Sequence, residues 1–516
     1  MAHSSNLRLV SLRTEVVNDA ALESVEQLTA AAGEGDLDKV RSTYKLLENK
    51  SDVNLYNMKG LTALNFAAYF GHDEVVKFLL QHDANVNQAD FYGMTAISYA
   101  SEKGYTMIAK QLIDAGANVN WMDVNNEGLS ALHIACCKGQ SGVIELLIRG
   151  GADVNAQDHN GVSVLHCAVG NGHEDCVECL LKAGAKVNAE GTVTGRTPIY
   201  LAIDINNIAM VKMLLEHRSR VNVKDTFGLT PLAAACLQGK EEIAELLLGA
   251  RANVNIHDNK KFLPLHYVAR SGKYGLLCKL LDAGSHMDDL NEHFESPLHL
   301  AVRMQHVDII RELINKGCNP NICEPYSHVT ALHVAVNTYS ETDVFEEVLK
   351  LLLEGGCKLN SRAFTSLESP IYRAINLNKE EIAMVLLQYG ADINLDCPFD
   401  VTLLQKACQK DHLNLVEAMI NNTIDWSRET WLQLDKYSCG YADLTLLEDY
   451  KEDVPITLHN KIDLYFHILE TQHNPVSLIR SCRNVIRSAM QETIYPKIYE
   501  LQLPPRLNDI LLYKLI

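Results

Sequence analysis

SVLHCAVGNGHEDCVECLLKAGAKVN, residues 163–188, is one copy of a phrase that recurs along the chain. Its opening tetrapeptide, Ser163-Val-Leu-His166, has counterparts beginning at Thr62, Thr95, Ser130, Thr197, Thr230, Leu263, Ser296, Thr330, Ser369 and Thr402. The eleven starts run from 62 to 402, a mean period of 34 residues. Other pieces keep step: Ala-x-x-x-Gly at Ala67 to Gly71, Ala135 to Gly139, Ala168 to Gly172 and Ala235 to Gly239. A Leu-Leu pair and then Ala-Asp/Asn-Val-Asn close most copies, as from Leu147 to Asn155 and from Leu247 to Asn255. Self-similarity at this period marks an architecture of stacked units. Within the quoted copy, Ser163 is placed to accept an orphan N–H at a helix start. Leu165 and Ala168 face inward on that short helix, and Gly172 turns the chain. Val177, Leu180 and Leu181 supply the apolar stripe of a second helix. Gly184 falls where a helix end takes a left-handed residue. A pair with two apolar faces cannot bury both by itself, so stacking is compulsory.

The period, with Thr230-Pro-Leu and Ser296-Pro-Leu-His299, resembles the ankyrin repeat. The resemblance implies an all-α fold, a solenoid of helix pairs joined by β-hairpin fingers. Ala31, Gly35 and Asp36 mimic the first helix of one more copy, so residues 26–61 read as a capping repeat behind a tail at 1–25. The repeat region then spans 26–426, about twelve units, followed by a helical cap and connector at 427–473 and a closing segment at 474–516. Two longer copies place insertions near Trp121–Glu127, in a finger, and near Thr338–Asp343, between two helices. Insertions in solenoids map to one edge.

Composition narrows the function. The 516 residues carry 46 Lys+Arg against 65 Asp+Glu, a net charge of −19, which argues against binding through a phosphate field. No uncharged apolar run reaches the ~18 residues of a bilayer span. The 14 cysteines, without an apolar leader over Met1–Val17, read as reduced thiols of a cytosolic or nuclear protein.

No catalytic constellation is legible. His133, His166, His266, His299 and His333 lie one repeat apart, too far to share a metal, and read as buried side chains bonding neighbouring units. Cys176-x-x-Cys179 has metal-ligand spacing behind His173, but it lies on a predicted helix with no second pair, where Cys acts as a small hydrophobe. Phosphate loops and nucleophile elbows are absent from the sequence. An enzyme is therefore not expected, and neither a metal nor a cofactor. What remains is a binding surface on the fingers and first helices. Phe91, Tyr92, Trp121, Phe227 and Phe262 stand in or beside fingers and are the candidate substrate-binding anchors.

The closing segment gives that surface a purpose. Asn474-Pro475-Val-Ser477-Leu478 starts a helix in which Leu478, Cys482 and Ile486 share one face at i, i+4, i+8. Then follows Leu501-Gln-Leu503-Pro504-Pro505-Arg-Leu507, with Leu511-Leu512-Tyr513 behind it. The chain here resembles the ankyrin-repeat and SOCS-box family, a small helical box after a repeat stack. By resemblance, Ser477, Leu478, Cys482 and Ile486 form the elongin-binding box, with Leu478 entering a pocket of elongin C, which brings elongin B. By the same resemblance, Leu501, Leu503, Pro504, Pro505 and Leu507 engage cullin-5, which carries RING-box protein 2. The family implies a substrate receptor of a ubiquitin ligase that holds a target protein on the repeat face. Gln502 stands where the family has the first proline of its cullin motif, which leaves the choice of cullin open. An ankyrin scaffold without ligase recruitment is the alternative. Asn87, Asn155, Asn222 and Asn255 also resemble ankyrin asparagines that are hydroxylated; the simpler reading has them bonding the finger turns.

Overall fold

A computed structural model describes residues 19–47, 53–123, 127–191, 193–323, 326–363, 368–395, 397, 401–410 and 412–420. The chain divides into two compact units at residues 259 and 260. In the first, the helix pairs are α1 (Asp19–Glu34) and α2 (Leu37–Leu46), α3 (Ala63–Phe70) and α4 (Asp73–Leu80), and α5 (Ala96–Lys103) and α6 (Thr106–Asp114). They continue as α7 (Ala131–Lys138) and α8 (Ser141–Arg149), α9 (Val164–Gly170) and α10 (Glu174–Lys182), α11 (Pro198–Asp204) and α12 (Ile208–Glu216), and α13 (Pro231–Gln238) and α14 (Glu241–Gly249). The second unit holds α15 (Pro264–Ser271) and α16 (Tyr274–Asp282), α17 (Pro297–Arg303) and α18 (Val307–Asn315), and α19 (Ala331–Thr338) and α20 (Thr342–Glu354). It ends in α21 (Pro370–Asn376) and α22 (Glu380–Gln388), then α23 (Leu403–Gln409) and α24 (Leu413–Ile420). Inside each unit the odd-numbered, inner helices pack on one another and the even-numbered, outer helices form a second layer.

Local chemistry makes these helices short. Thr62, Ser163, Thr230 and Ser296 start inner helices by accepting the N–H three residues on. Pro198, Pro231, Pro264, Pro297 and Pro370 occupy the first turn, where the fixed φ suits the helix and no donor is missed. Gly139 ends α7 at φ 77°, and a Cβ there would lie 2.7 Å from the His173 ring, so only glycine fits. His173 uses that close approach to bond the Cys137 carbonyl at 3.2 Å, an orphan acceptor of the previous inner helix. His306 does the same for Arg270, and Lys379 donates to the carbonyls of Val336, Asn337 and Tyr339. Fully buried alanines at 67, 100, 135, 168, 202 and 235 let inner helices approach, while Val177 and Leu180 on α10 show the buried stripe of an outer helix.

The recurring asparagine links copies. Asn120 Oδ1 accepts the Asp153 N–H at 2.8 Å and its Nδ2 donates to the Gly151 carbonyl at 2.9 Å, both in the next copy. Asn87, Asn155 and Asn222 likewise accept the N–H groups of Asn118, Lys186 and Asn253. Asn120→Ala is expected to lower unfolding free energy by about 1–2 kcal/mol through the two lost bonds; an unchanged denaturation midpoint would contradict this account of the ladder.

Three expectations are corrected. Helix α1 begins at Asp19, seven residues inside the segment read as a tail, because Asp19–Glu34 continues a helical stripe. The fingers carry isolated bridges, Tyr56–Thr62, Met122–Ser130, Gln157–Ser163 and Cys323–Thr330, and no strand occurs among the described residues. The turn chemistry explains why. Asp90 Oδ1 accepts the N–H groups of Tyr92 and Met94, as Asp158 and Asp225 do in their own fingers, so the side chain takes amides that a longer ladder would use. One backbone bond, from each Asp N–H to the carbonyl four residues on, remains. Finally, the residues inserted near Thr338–Asp343 lengthen α20 to 13 residues, where α18 and α22 have 9, and bury Phe345.

Candidate protein-binding surface

The slot histidines are structural. Ser130 N–H and Oγ approach His133 Nδ1 at 3.3 and 2.8 Å, and Nε2 lies 3.3 Å from the Val162 carbonyl of the next finger. A backbone N–H can only donate, so Nδ1 accepts and Nε2 carries the proton. His166 repeats this with the Arg196 carbonyl, and His333 with that of Glu368. Burial pushes all three imidazoles down, His333 to about 4. Tyr200 takes the same slot and reaches the Val223 and Leu229 carbonyls at 2.6 Å.

The predicted finger aromatics separate into three kinds. Phe91, Tyr92 and Phe227 are exposed, at 53%, 64% and 63%. Trp121 is half-buried and donates Nε1–H to the Gly93 carbonyl at 3.0 Å, so it fixes one finger to the previous one. Phe262 is corrected: at 6% exposure it stacks on Tyr267 at 5.2 Å. It follows the left-handed turn residue and occupies the inward position filled by Leu61, Leu129 and Leu229 in other fingers.

A larger aromatic surface lies beside Phe91 and Tyr92. On α3, Phe66 stacks on Phe70 at 6.3 Å and Tyr69 meets Phe70 edge-on at 5.0 Å. Tyr69 also meets Tyr99 of α5 at 5.5 Å, and Lys103 Nζ sits 4.4 Å from the Tyr69 ring centre. Tyr99 donates to Asp90 Oδ2 at 2.5 Å, tying this helix face to the finger whose tip is Phe91–Tyr92. Burial and that carboxylate raise the Tyr99 phenol, keeping it neutral. Tyr56 packs edge-on to Phe91 at 5.7 Å. Such a patch of half-exposed rings buries large area with few rotatable bonds, the property of interface anchors.

The segment from 28 to 259 and that from 265 to 430 match the family model described as ankyrin repeats in three copies, through overlapping windows 28–123, 108–191, 132–225, 189–259, 265–363 and 345–430. The chain belongs to the ankyrin-repeat family. Among curated proteins, B-cell lymphoma 3 protein homolog of Mus musculus is 32% identical over 100 residues, 19% of this chain and 21% of that protein. ADP-ribosylation factor GTPase-activating protein AGD2 of Arabidopsis thaliana is 29% identical over 113 residues, 22% of this chain and 10% of that protein. The aligned part is thus about a fifth or less of these relatives' length.

In an ankyrin frame, the aromatic positions the sequence reading missed become visible. No motif singles out Phe66, Tyr69 and Phe70. Yet the positions of Tyr69 and Phe70 hold Cys137 and Lys138 on α7, and Asp204 and Ile205 at the end of α11, so they face outward. Aligning copies column by column is the signal that separates them from core. The Cys176 thiol is buried on α10, and burial pushes it up to about 11. No group of three or more His, Cys, Asp or Glu that could hold a metal occurs among the described residues. No helix there is long and apolar enough to cross a membrane. Ser477, Leu478, Cys482, Ile486, Leu501, Leu503, Pro504, Pro505 and Leu507 lie outside the described residues, as do the connector and the closing segment.

Proposed function

We propose that this ankyrin-repeat chain is the substrate-recognition subunit of an elongin B/C–cullin-RING ubiquitin ligase, working in the cytoplasm or nucleus. The observation that carries the reading is the sequence order: a repeat stack, then Ser477-Leu478-x-x-x-Cys482-x-x-x-Ile486, then Leu501 to Leu507. Leu478 would fill the elongin C pocket with Cys482 and Ile486 beside it, and the second motif would meet cullin-5 with its RING-box protein 2. The aromatic surface around Phe66, Tyr69, Phe70, Phe91 and Tyr92 supports the other half of the task, gripping a target protein. The chain itself does no covalent chemistry in this scheme. It raises the local concentration of a target's lysines near a ubiquitin-loaded enzyme, and Cys482 is a packing residue. Co-expression with elongins B and C, followed by size exclusion with and without cullin-5, tests it. A ternary complex that shifts with the cullin is expected. An elongin complex that ignores cullin-5 would trace to Gln502 and overturn the cullin assignment. No elongin complex would leave an ankyrin scaffold.

A further inference from the structure

In the second unit, charge separates by layer. The outer helices α16, α18, α20, α22 and α24 carry ten acidic residues and three basic ones. The inner helices α15, α17, α19, α21 and α23 carry no acidic residue; their charges are Arg270, Arg303, Arg373 and Lys406. In a chain of net charge −19 this strip is the exception. Arg270 is exposed and makes no ion pair among the described residues. Arg303 pairs with Glu295 at the base of its finger but keeps 51% of its side chain exposed. Arg373 lies 3.7 Å from Glu368 and donates Nε–H to Asn337 Oδ1 at 2.6 Å. Lys406 Nζ stands 5.9 Å from the Tyr372 ring centre. Two exposed apolar side chains, Met304 at 41% and Leu377 at 45%, stand at the ends of the helices that carry Arg303 and Arg373.

The fingers over this strip depart from the first unit in a second way. There the turn residue is always glycine with positive φ: Gly60, Gly93, Gly128, Gly161, Gly195 and Gly228. In the second unit Lys261, Phe294 and His328 hold the same left-handed turn at φ 59°, 59° and 55°. A side chain with a Cβ is disfavoured there, a bulky one most, and such residues persist where their side chains are used. Phe294 meets Tyr326 edge-on at 5.3 Å, and Tyr326 is 72% exposed.

We infer that the inner-helix face of the second unit binds an extended acidic segment of a partner protein, with carboxylates at Arg270, Arg303, Arg373 and Lys406 and apolar side chains between them. Four inter-helix steps of about 10 Å give a track of about 40 Å, which an extended strand of about 12 residues spans. Widely spaced cations with exposed Met304 and Leu377 beside two of them fit a peptide better than a nucleic acid. A phosphate backbone carries charge at every nucleotide, whereas the strip offers a single cation on each of four helices and none on α19. The inference does not rest on ligase recruitment.

Fluorescence anisotropy on the full chain tests it, with a labelled peptide of about 12 residues alternating Glu with Leu. A peptide with Gln for every Glu and an oligouridine of similar length are the comparison probes. The acidic peptide is expected to bind, and its affinity to fall at least tenfold in Arg270→Glu/Lys406→Glu and on raising salt. Lys110→Glu/Lys212→Glu, on outer helices of the first unit, makes the same change in net charge and is expected to bind as wild type. If the reversal variant melts early, Arg270→Gln/Lys406→Gln replaces it, with at least a threefold loss expected. Equal binding of the Gln peptide, preference for the RNA, or no loss in the folded variants would overturn the inference.

Discussion

Leu478→Ala combined with Cys482→Ala is expected to abolish capture of elongins B and C while the repeat stack melts as in wild type. Both side chains lie on one stripe, four residues apart, and Ile486 continues it. Losing a leucine that fills a pocket removes about 1.5–3 kcal/mol of burial. An anchor at the centre of an interface loses more, because the partner's pocket is left dry and empty. With the smaller cysteine term added, affinity should fall by more than about a hundredfold. Co-purification of tagged double mutant with both elongins, set against wild type, is the measurement, and calorimetry of each protein supplies the control. Wild-type-like co-purification would remove the elongin box from this chain and with it the ligase proposal. The inference about the basic inner face would then stand alone.

The second large effect concerns acid. Folded His333 holds its imidazole neutral down to about pH 4 because it is buried between a serine- or threonine-type cap and the Glu368 carbonyl. In the unfolded chain the same ring titrates near 6.5. Between those values the unfolded state takes up a proton that the folded state refuses. Stability present at neutral pH is therefore lost as pH falls from about 6.5 to about 4, by about 3 kcal/mol for His333 alone. His133 and His166, lowered in the same direction, add to the loss. Chemical denaturation across this window should show the midpoint falling steeply. His333→Gln keeps a donor for the carbonyl but cannot charge, so it should cost about 2 kcal/mol at pH 7 and flatten the profile. An equally steep profile in the variant would contradict the assignment.

Much of the fold was legible because the same constraint is written many times over. Ser163, Leu165, Ala168 and Gly172 recur in fixed order, and each does in the structure what its chemistry suggested: cap, core, close packing, turn. The histidines were read as bonds between copies for the same reason. The site was less legible, because it consists of departures from the pattern. Phe262 looked like a fingertip, but its place one residue beyond Lys261 turns it inward, a difference of register that composition does not record. Tyr69 and Phe70 carry no motif, and helical spacing alone does not say which layer lies opposite. Asp90 was passed over as one more acidic residue, whereas it holds the Tyr92 and Met94 amides and the Tyr99 hydroxyl at once. Charge separation between inner and outer layers appears only when helices are sorted by layer.

The asparagine joints have a consequence for how such a chain can change. Each copy leaves valences open that the following copy closes: Asn120 waits for Gly151 and Asp153, Asn155 for Lys186. Excising one complete period fuses two joints of matching geometry, so the remaining copies still find complementary edges. Excising half a period instead sets an inner helix against the wrong neighbour and strands both edges. Gains and losses in a lineage of such chains are therefore expected in whole periods, with the inner-helix face lengthened or shortened by a fixed step each time.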